Sequence, residues 1–168
     1  MKKTKGIWFG RGVHVPDRKT AAARPTEDMP APAVASLSTS MSIGRPAVPV
    51  VKVGDRVGFG QLIAAADGAI SCNVHSSVSG EVVAIEARQN ATGGTETYID
   101  VRNDGKDEKY FLPPLDDPTP AQLCRRAAEA GLVGMGGAGF PTAVKLAPRT
   151  PVDTLVVNGA ECEPYLTC

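Results

Sequence analysis

The sequence is poor in cysteine, and its cysteines are widely spaced. They are Cys72, Cys124, Cys162 and Cys168, with no C-x-x-C pair among them. Structural zinc sites and [4Fe–4S] ferredoxin modules use closely spaced cysteines, so we expect neither in this chain. The two histidines are far apart and have no cluster of carboxylates nearby. No other metal site is therefore predicted.

An excess of charge of one sign and long apolar runs are also missing. The 18 basic and 18 acidic residues give a formal net charge of zero, which argues against a nucleic-acid partner. No apolar run approaches the ~18 residues of a membrane-spanning helix. The basic start, Met1–Lys5, is not followed by the hydrophobic core of a signal peptide. We therefore expect a cytoplasmic location with no direct transmembrane span.

The most informative stretch that is present is the glycine-rich run Gly134–Thr142, which is followed by Lys145. Glycine has no Cβ, so main-chain N–H groups in such a run can come very close to a flat, phosphorylated ligand. Pro141 is placed to begin a short helix that extends to about Leu146. The N terminus of a helix favours an anion, so the run predicts a site for a phosphorylated ligand.

The run also matches the G-x-G-x-x-G motif of dinucleotide-binding Rossmann folds over residues 134–139. That motif requires a strand directly before the glycines. The preceding residues instead predict a helix, with Thr119 as N-cap, Pro120 at the first helical position and Gly131 as the stop. The Rossmann turn is therefore the less favoured interpretation.

The middle of the chain predicts short β-strands separated by glycine-containing turns, which is typical of a small sandwich or barrel. The strand candidates are Val48–Val53, Leu62–Ala65, Ala69–Cys72, Gly80–Ile85 and Tyr98–Arg102. Residues 1–42 are rich in proline and alanine and predict an extended arm, with a disordered tail as the alternative. Within this arm, Val34–Ser38 is a candidate short strand.

The last part of the chain predicts the start of an α/β nucleotide-binding domain. The glycine run and its short helix are followed by Thr154–Asn158, whose apolar run predicts a buried parallel strand. Asn158 would then lie at the carboxyl end of that strand, where open α/β sheets bind ligands. The predicted fold class is α+β, with an arm over residues 1–42, a β module over residues 43–115 and a truncated α/β domain over residues 116–168.

Three motifs together resemble one known family. Gly134–Lys145 and Asn158–Tyr165 resemble the RnfC component of the Rnf electron-transport complex, a ferredoxin:NAD oxidoreductase, and Gly10–Pro16 is similar to the opening motif of that RnfC family. The first two motifs are more distantly similar to the flavin-binding, NADH-oxidising subunit of respiratory complex I. The middle of the chain is similar to the biotinyl/lipoyl barrel-sandwich hybrid. Its hairpin tip, Ala65–Ala69, has no lysine to carry a cofactor, so we expect a docking or scaffolding module there.

The resemblance implies the N-terminal part of an electron-transfer subunit, which passes electrons between NADH and iron–sulfur centres through FMN. It implies FMN and NAD(H) as cofactors, and 4Fe–4S clusters only in a downstream region. Expected partners are the other subunits of a membrane electron-transport complex and ferredoxin-type carriers, at the inner face of the cell membrane. We expect this stretch alone to bind FMN weakly and to be inactive, because the family has the rest of the flavin sheet further along.

The candidate site residues follow from the charge of FMN and from the resemblance. Backbone N–H groups of the glycine run would cradle the nucleotide, and Lys145 would supply a positive charge. By resemblance, Glu161 and Glu163 would line the face where NADH passes hydride to the flavin. The full set of cofactor-binding candidates is Gly134, Gly136, Gly137, Ala138, Gly139, Phe140, Lys145 and Asn158.

Other interpretations of the same residues stay open. Lys145 could be an ordinary solvated lysine, Phe140 part of the core, and the two glutamates residues that favour a helix N terminus. At the level of the whole chain, the alternatives are a non-catalytic docking module and a segment of a soluble, RnfC-like NADH-dependent reductase.

Overall fold

The computed structural model describes residue 16, residues 18–148, residues 150–158 and residue 165. The chain divides into two units, one of residues 30–152 and one of residues 1–29 with residues 153–168. All helices and strands of the described residues belong to the first unit. None of these helices is long and apolar enough to cross a membrane.

Two antiparallel sheets form the β module, and the α+β class predicted from the sequence is confirmed. The larger sheet has the strand order β1–β7–β6–β3, and the smaller has the order β2–β4–β5. The bounds are β1 Val34–Ser38, β2 Val48–Pro49, β3 Arg56–Val57, β4 Leu62–Ala65, β5 Val74–His75, β6 Gly80–Gln89 and β7 Thr95–Asn103.

The hydrophobic core lies between these two sheets. Ile63 of β4 is fully buried together with Val82 of β6 and with Ile99 and Val101 of β7. Inward-facing residues alternate with outward-facing ones along β7, as expected for a sheet with one buried face. Burial of such side chains contributes about 1.5–3 kcal/mol each, so this core is the main source of stability of the module.

Several predicted strands are confirmed, most with changed bounds, and only Val48–Pro49 of the strand predicted at Val48–Val53 forms. Leu62–Ala65 forms as predicted, whereas the strands predicted at Gly80–Ile85 and Tyr98–Arg102 are longer. The candidate strand Val34–Ser38 also forms, and it pairs with β7 over its whole length. The sheet therefore begins inside the segment predicted as an arm, while the boundary at residue 43 stays a prediction.

The strand predicted at Ala69–Cys72 is wrong. This segment belongs to a wide turn, and pairing with β4 begins only at Val74. Side chains close this turn, because the Asp67 N–H donates to the Ser71 hydroxyl at 3.0 Å and the Ala66 N–H donates to Asn73 Oδ1 at 2.9 Å. These bonds take the place of strand-to-strand bonds.

The helix predicted from the capping signals is confirmed as α1, Pro120–Glu129. The Gln122 N–H donates to the Thr119 hydroxyl at 3.3 Å, and the Thr119 N–H donates back to Gln122 Oε1 at 2.8 Å. This reciprocal pair is a capping box. Gly131 follows the helix with φ +67°, the left-handed conformation in which helices commonly end.

The buried parallel strand predicted at Thr154–Asn158 is also wrong. Residues 151–158 have no regular structure, and Leu155, Val156 and Val157 are 86%, 85% and 79% exposed. A strand is stable only beside another strand. Within the described residues no strand pairs with this run, so an extended backbone there would make no strand-to-strand hydrogen bonds.

Candidate functional site

The glycine run is the turn of a small hairpin. Strands β8, Val133–Gly134, and β9, Phe140–Pro141, pair antiparallel, and we call residues 133–141 the glycine hairpin. The Gly137 N–H donates to the Gly134 carbonyl at 3.4 Å across the turn, and the Thr142 N–H donates to the Leu132 carbonyl at 2.9 Å at its base. An antiparallel hairpin is not the strand–turn–helix unit of a Rossmann motif, so that interpretation gains no support.

The tip of the glycine hairpin is open. A Cβ added to Gly136 or Gly137 would meet no atom within 4 Å, and the neighbouring Met135 is 90% exposed. In the described part of the chain, the N–H groups of Gly136 and Ala138 make no hydrogen bond. The tip therefore presents accessible main-chain donors with no side chain at the glycines to block an approaching ligand.

Lys145 lies beside the first strand of the hairpin. Its ammonium group is 5.6 Å from the centroid of the Phe140 ring, a cation–π distance. A Cβ added to Gly134 would lie 3.4 Å from Lys145 Nζ, so the ammonium group borders the glycine backbone. The structure thus brings together three of the predicted site residues: Gly134, Phe140 and Lys145.

The helix after the hairpin starts one residue later than predicted. It is α2, Thr142–Leu146, with Pro141 at its N-cap and no side-chain cap. Pro141 is not in the helix because it belongs to β9, where it pairs with Val133. A helix of five residues has a weak dipole, so the N terminus of α2 alone is a weak attractor for an anion.

A cavity of about 640 Å³ lies between the glycine hairpin and residues 40–43 of the β module. Gly137, Ala138 and Gly139 line it, together with the apolar side chains of Met41 and Met135. Lys145 and Phe140 are not among its lining residues. The sequence patterns did not point to residues 40–43, since their contact with the hairpin joins distant parts of the chain.

The β module also holds the C-terminal end of α1. Asn73 Nδ2 donates to the carbonyls of Ala128 at 3.4 Å and Glu129 at 3.1 Å. Partial burial lowers the pKa of His75, and a hydrogen bond to the backbone of Glu129 partly opposes this shift. These contacts fix the point at which the chain leaves α1 for the hairpin.

Three of the predicted site residues, Asn158, Glu161 and Glu163, are not part of the hairpin or of α2. Asn158 is exposed and belongs to the second unit, and Glu161 and Glu163 lie outside the described residues. In the described ranges, no group of three or more His, Cys, Asp or Glu residues could hold a metal ion.

Two known protein families match separate segments of the chain. Residues 7–106 match the family described as the RnfC barrel sandwich hybrid domain. The chain belongs to the RnfC family. Residues 127–168, which include the glycine hairpin, match the family described as the Nuo51 FMN-binding domain. The resemblance noted in the sequence is thereby confirmed.

Curated relatives in three organisms are similar over most of this chain, and each is named as the C component of an oxidoreductase complex. That of the Na⁺-translocating ferredoxin:NAD⁺ oxidoreductase complex of Acetobacterium woodii is 42% identical over 166 residues, which cover 95% of this chain and 38% of that protein. The C component of the ion-translocating oxidoreductase complex of Rhodobacter capsulatus is 46% identical over 149 residues, which cover 84% of this chain and 29% of that protein. The C component of the proton-translocating ferredoxin:NAD⁺ oxidoreductase complex of Clostridium ljungdahlii is 42% identical over 166 residues, which cover 95% of this chain and 36% of that protein. The chain spans about a third of the length of these relatives.

Proposed function

We propose that this RnfC-family chain is part of an oxidoreductase subunit that passes electrons between NADH and iron–sulfur centres through FMN. The single observation that carries the proposal is the open tip of the glycine hairpin, with the Lys145 ammonium group beside Gly134 and Phe140 in its two strands. The match of this segment to an FMN-binding domain and the names of the relatives support it.

The residues present fit an anionic nucleotide. The N–H groups of Gly136 and Ala138 would donate to phosphate or flavin oxygens, and Lys145 would neutralise part of the phosphate charge. Bound FMN would supply the electron-transfer chemistry, because protein side chains position and tune such a cofactor. Asn158 would hydrogen-bond the flavin ring edge or the ribityl chain, and Glu161 and Glu163 would line the face where NADH binds.

The wider setting is also part of the proposal. The partners would be other subunits of a membrane electron-transport complex and ferredoxin-type carriers, at the inner face of the cell membrane. The 4Fe–4S clusters would be held by regions that the relatives have and this chain does not span. The relatives' names, which describe subunits of ion-translocating complexes, support this setting.

An FMN titration tests the role of Lys145. We expect Lys145→Met to weaken FMN binding about tenfold, since a hydrogen bond to a charged group contributes about 1.5 kcal/mol or more. Lys52→Met is the matched control, because Lys52 is an exposed lysine of the β module and should leave the affinity unchanged. Binding is followed by quenching of flavin fluorescence, in this chain and, where the coding sequence continues, in the longer protein. Equal affinities of the two variants would contradict the role of Lys145.

A docking or scaffolding module is the second candidate function. It is favoured by the distribution of the core, whose buried cluster lies wholly between Ala35 and Val101, whereas α1 buries only Ala127. Absence of FMN binding in both this chain and the longer protein would support this candidate. Electron transfer to a purified acceptor without membranes would instead support a soluble reductase of the same family.

A further inference from the structure

The loop between β1 and β2 has a fixed base. The Thr39 N–H donates to the Thr97 carbonyl at 2.9 Å, and the Ala47 N–H donates to the Thr39 carbonyl at 2.8 Å. Thr39 and Ala47 are both buried. Residues 40–46, which we call the bridging loop, therefore leave and re-enter the β module at one anchored point.

One side of the bridging loop is pinned to the wide β4–β5 turn. The Arg45 N–H donates to the Ile70 carbonyl at 2.9 Å, and the Arg45 guanidinium group pairs with the Asp67 carboxylate at 2.8 Å. Gly44 has φ +96°, and a Cβ there would lie 2.1 Å from the Ile70 carbonyl oxygen. No residue with a side chain fits at this point without a shift of the backbone.

The other side of the bridging loop contacts the glycine hairpin. The Ile43 N–H donates to the Gly139 carbonyl at 3.3 Å. Gly139 has φ +68°, and a Cβ there would lie 2.9 Å from the Met41 carbonyl oxygen. Backbone therefore packs directly on backbone where the glycine run returns from its tip.

The hairpin needs such support because it has little of its own. Its two strands have two residues each, and an isolated two-stranded hairpin is marginal in water. Asn73 binds the C-terminal end of α1, which leads into the base of the hairpin. The bridging loop binds the carbonyl of Gly139, directly before the returning strand β9. Both supports come from the β module.

We propose that the bridging loop is a positioning element, which sets the glycine hairpin in its ligand-binding geometry through Ile43 and Gly44. The identity of the ligand rests on the function proposed above, but the positioning does not. A preformed arrangement of N–H donors costs less ordering when the ligand binds. On this view the bridging loop contributes to affinity by ordering the hairpin before the ligand binds.

Amide hydrogen exchange in the ligand-free chain tests the positioning. Ile43→Pro removes the N–H that holds Gly139, and Ser42→Pro is the matched control, because the Ser42 N–H makes no hydrogen bond within the described part of the chain. We expect exchange of the Thr142 amide to be about tenfold faster in Ile43→Pro than in the control, the upper range for loss of one hydrogen bond. Unchanged exchange in β7 would show that the β module is still folded.

Exchange rates that are equal in the two proline variants would overturn the proposal. Ile43→Val keeps the N–H, and we expect it to restore both the wild-type exchange rate and the wild-type affinity for FMN. The FMN titration separates this proposal from the proposed function. Faster exchange in Ile43→Pro, in a chain that binds no FMN, would leave the positioning standing and remove the proposed ligand. Normal FMN affinity and normal exchange in Ile43→Pro would remove the positioning and leave the function.

Discussion

Two glycines of the hairpin have different physical reasons to be glycine, and a matched pair of alanine variants separates them. Gly139 has φ +68° and lies against the Met41 carbonyl oxygen, whereas Gly136 has open space around it and no such φ. A left-handed conformation costs a residue with a Cβ about 1–2 kcal/mol. The 2.9 Å approach to a backbone oxygen adds to this cost, because backbone cannot move aside as a side chain can.

We therefore expect Gly139→Ala to destabilise the free hairpin by about 2 kcal/mol, which corresponds to about 30-fold faster exchange of the Thr142 amide. Gly136→Ala should leave this exchange unchanged. It should instead weaken FMN binding about tenfold, because its methyl group would stand where the ligand approaches an N–H donor. Hydrogen exchange without ligand and an FMN titration measure the two effects separately.

The opposite pattern would refute the reasoning. If Gly136→Ala accelerated exchange as strongly as Gly139→Ala, the hairpin would depend on the tip and not on its contact with the bridging loop. If Gly136→Ala bound FMN as tightly as the wild type, the tip would not be the point of ligand approach. Exchange in β7 serves as the internal reference in both variants.

Three further predictions concern the scaffold. Ser79→Ala should raise the pKa of the Asp104 carboxyl toward its ordinary value, because the hydrogen bond from Ser79 is the main cause of its lowered pKa; an NMR titration measures this. Since that pKa is lowered in the folded state, the stability linked to Asp104 is present above its ordinary pKa and is lost as the pH falls through the folded value. Thr119→Ala should destabilise α1 by about 1 kcal/mol, seen as faster exchange of amides in its first turn. Ile99→Ala should lower the free energy of unfolding by about 2–5 kcal/mol in urea, whereas Val53→Ala, at an exposed position, should change it by less than about 0.5 kcal/mol.

The parts of the fold that were predicted correctly have local signals. Thr119, Pro120 and Gly131 mark the ends of α1 within a few residues of the helix itself, and each acts through its neighbouring backbone. The long strands β6 and β7 show the alternation of a half-buried sheet. Such elements can be inferred from sequence because the interactions that form them are close along the chain.

The errors arise where distant contacts or side-chain bonds decide the structure. Ala69–Cys72 has the composition of a strand, but bonds to Ser71 and Asn73 close a turn there instead. The apolar residues Thr154–Asn158 could not reveal whether a neighbouring strand would be present. In the site, the composition of the glycine run predicts its open backbone. Its support by Ile43 depends on a contact between distant residues, which no sequence pattern indicates.

The pairing of β1 with β7 has a practical consequence for work with the β module. Val34–Ser38 covers one side of β7 along the register from Val34–Arg102 to Ser38–Tyr98. A shortened chain that began at residue 43 would leave β7 as an exposed edge strand with unsatisfied N–H and carbonyl groups. Such edges recruit strands from other molecules, so a shortened chain of this kind would aggregate even though every core residue of β4, β6 and β7 was still present.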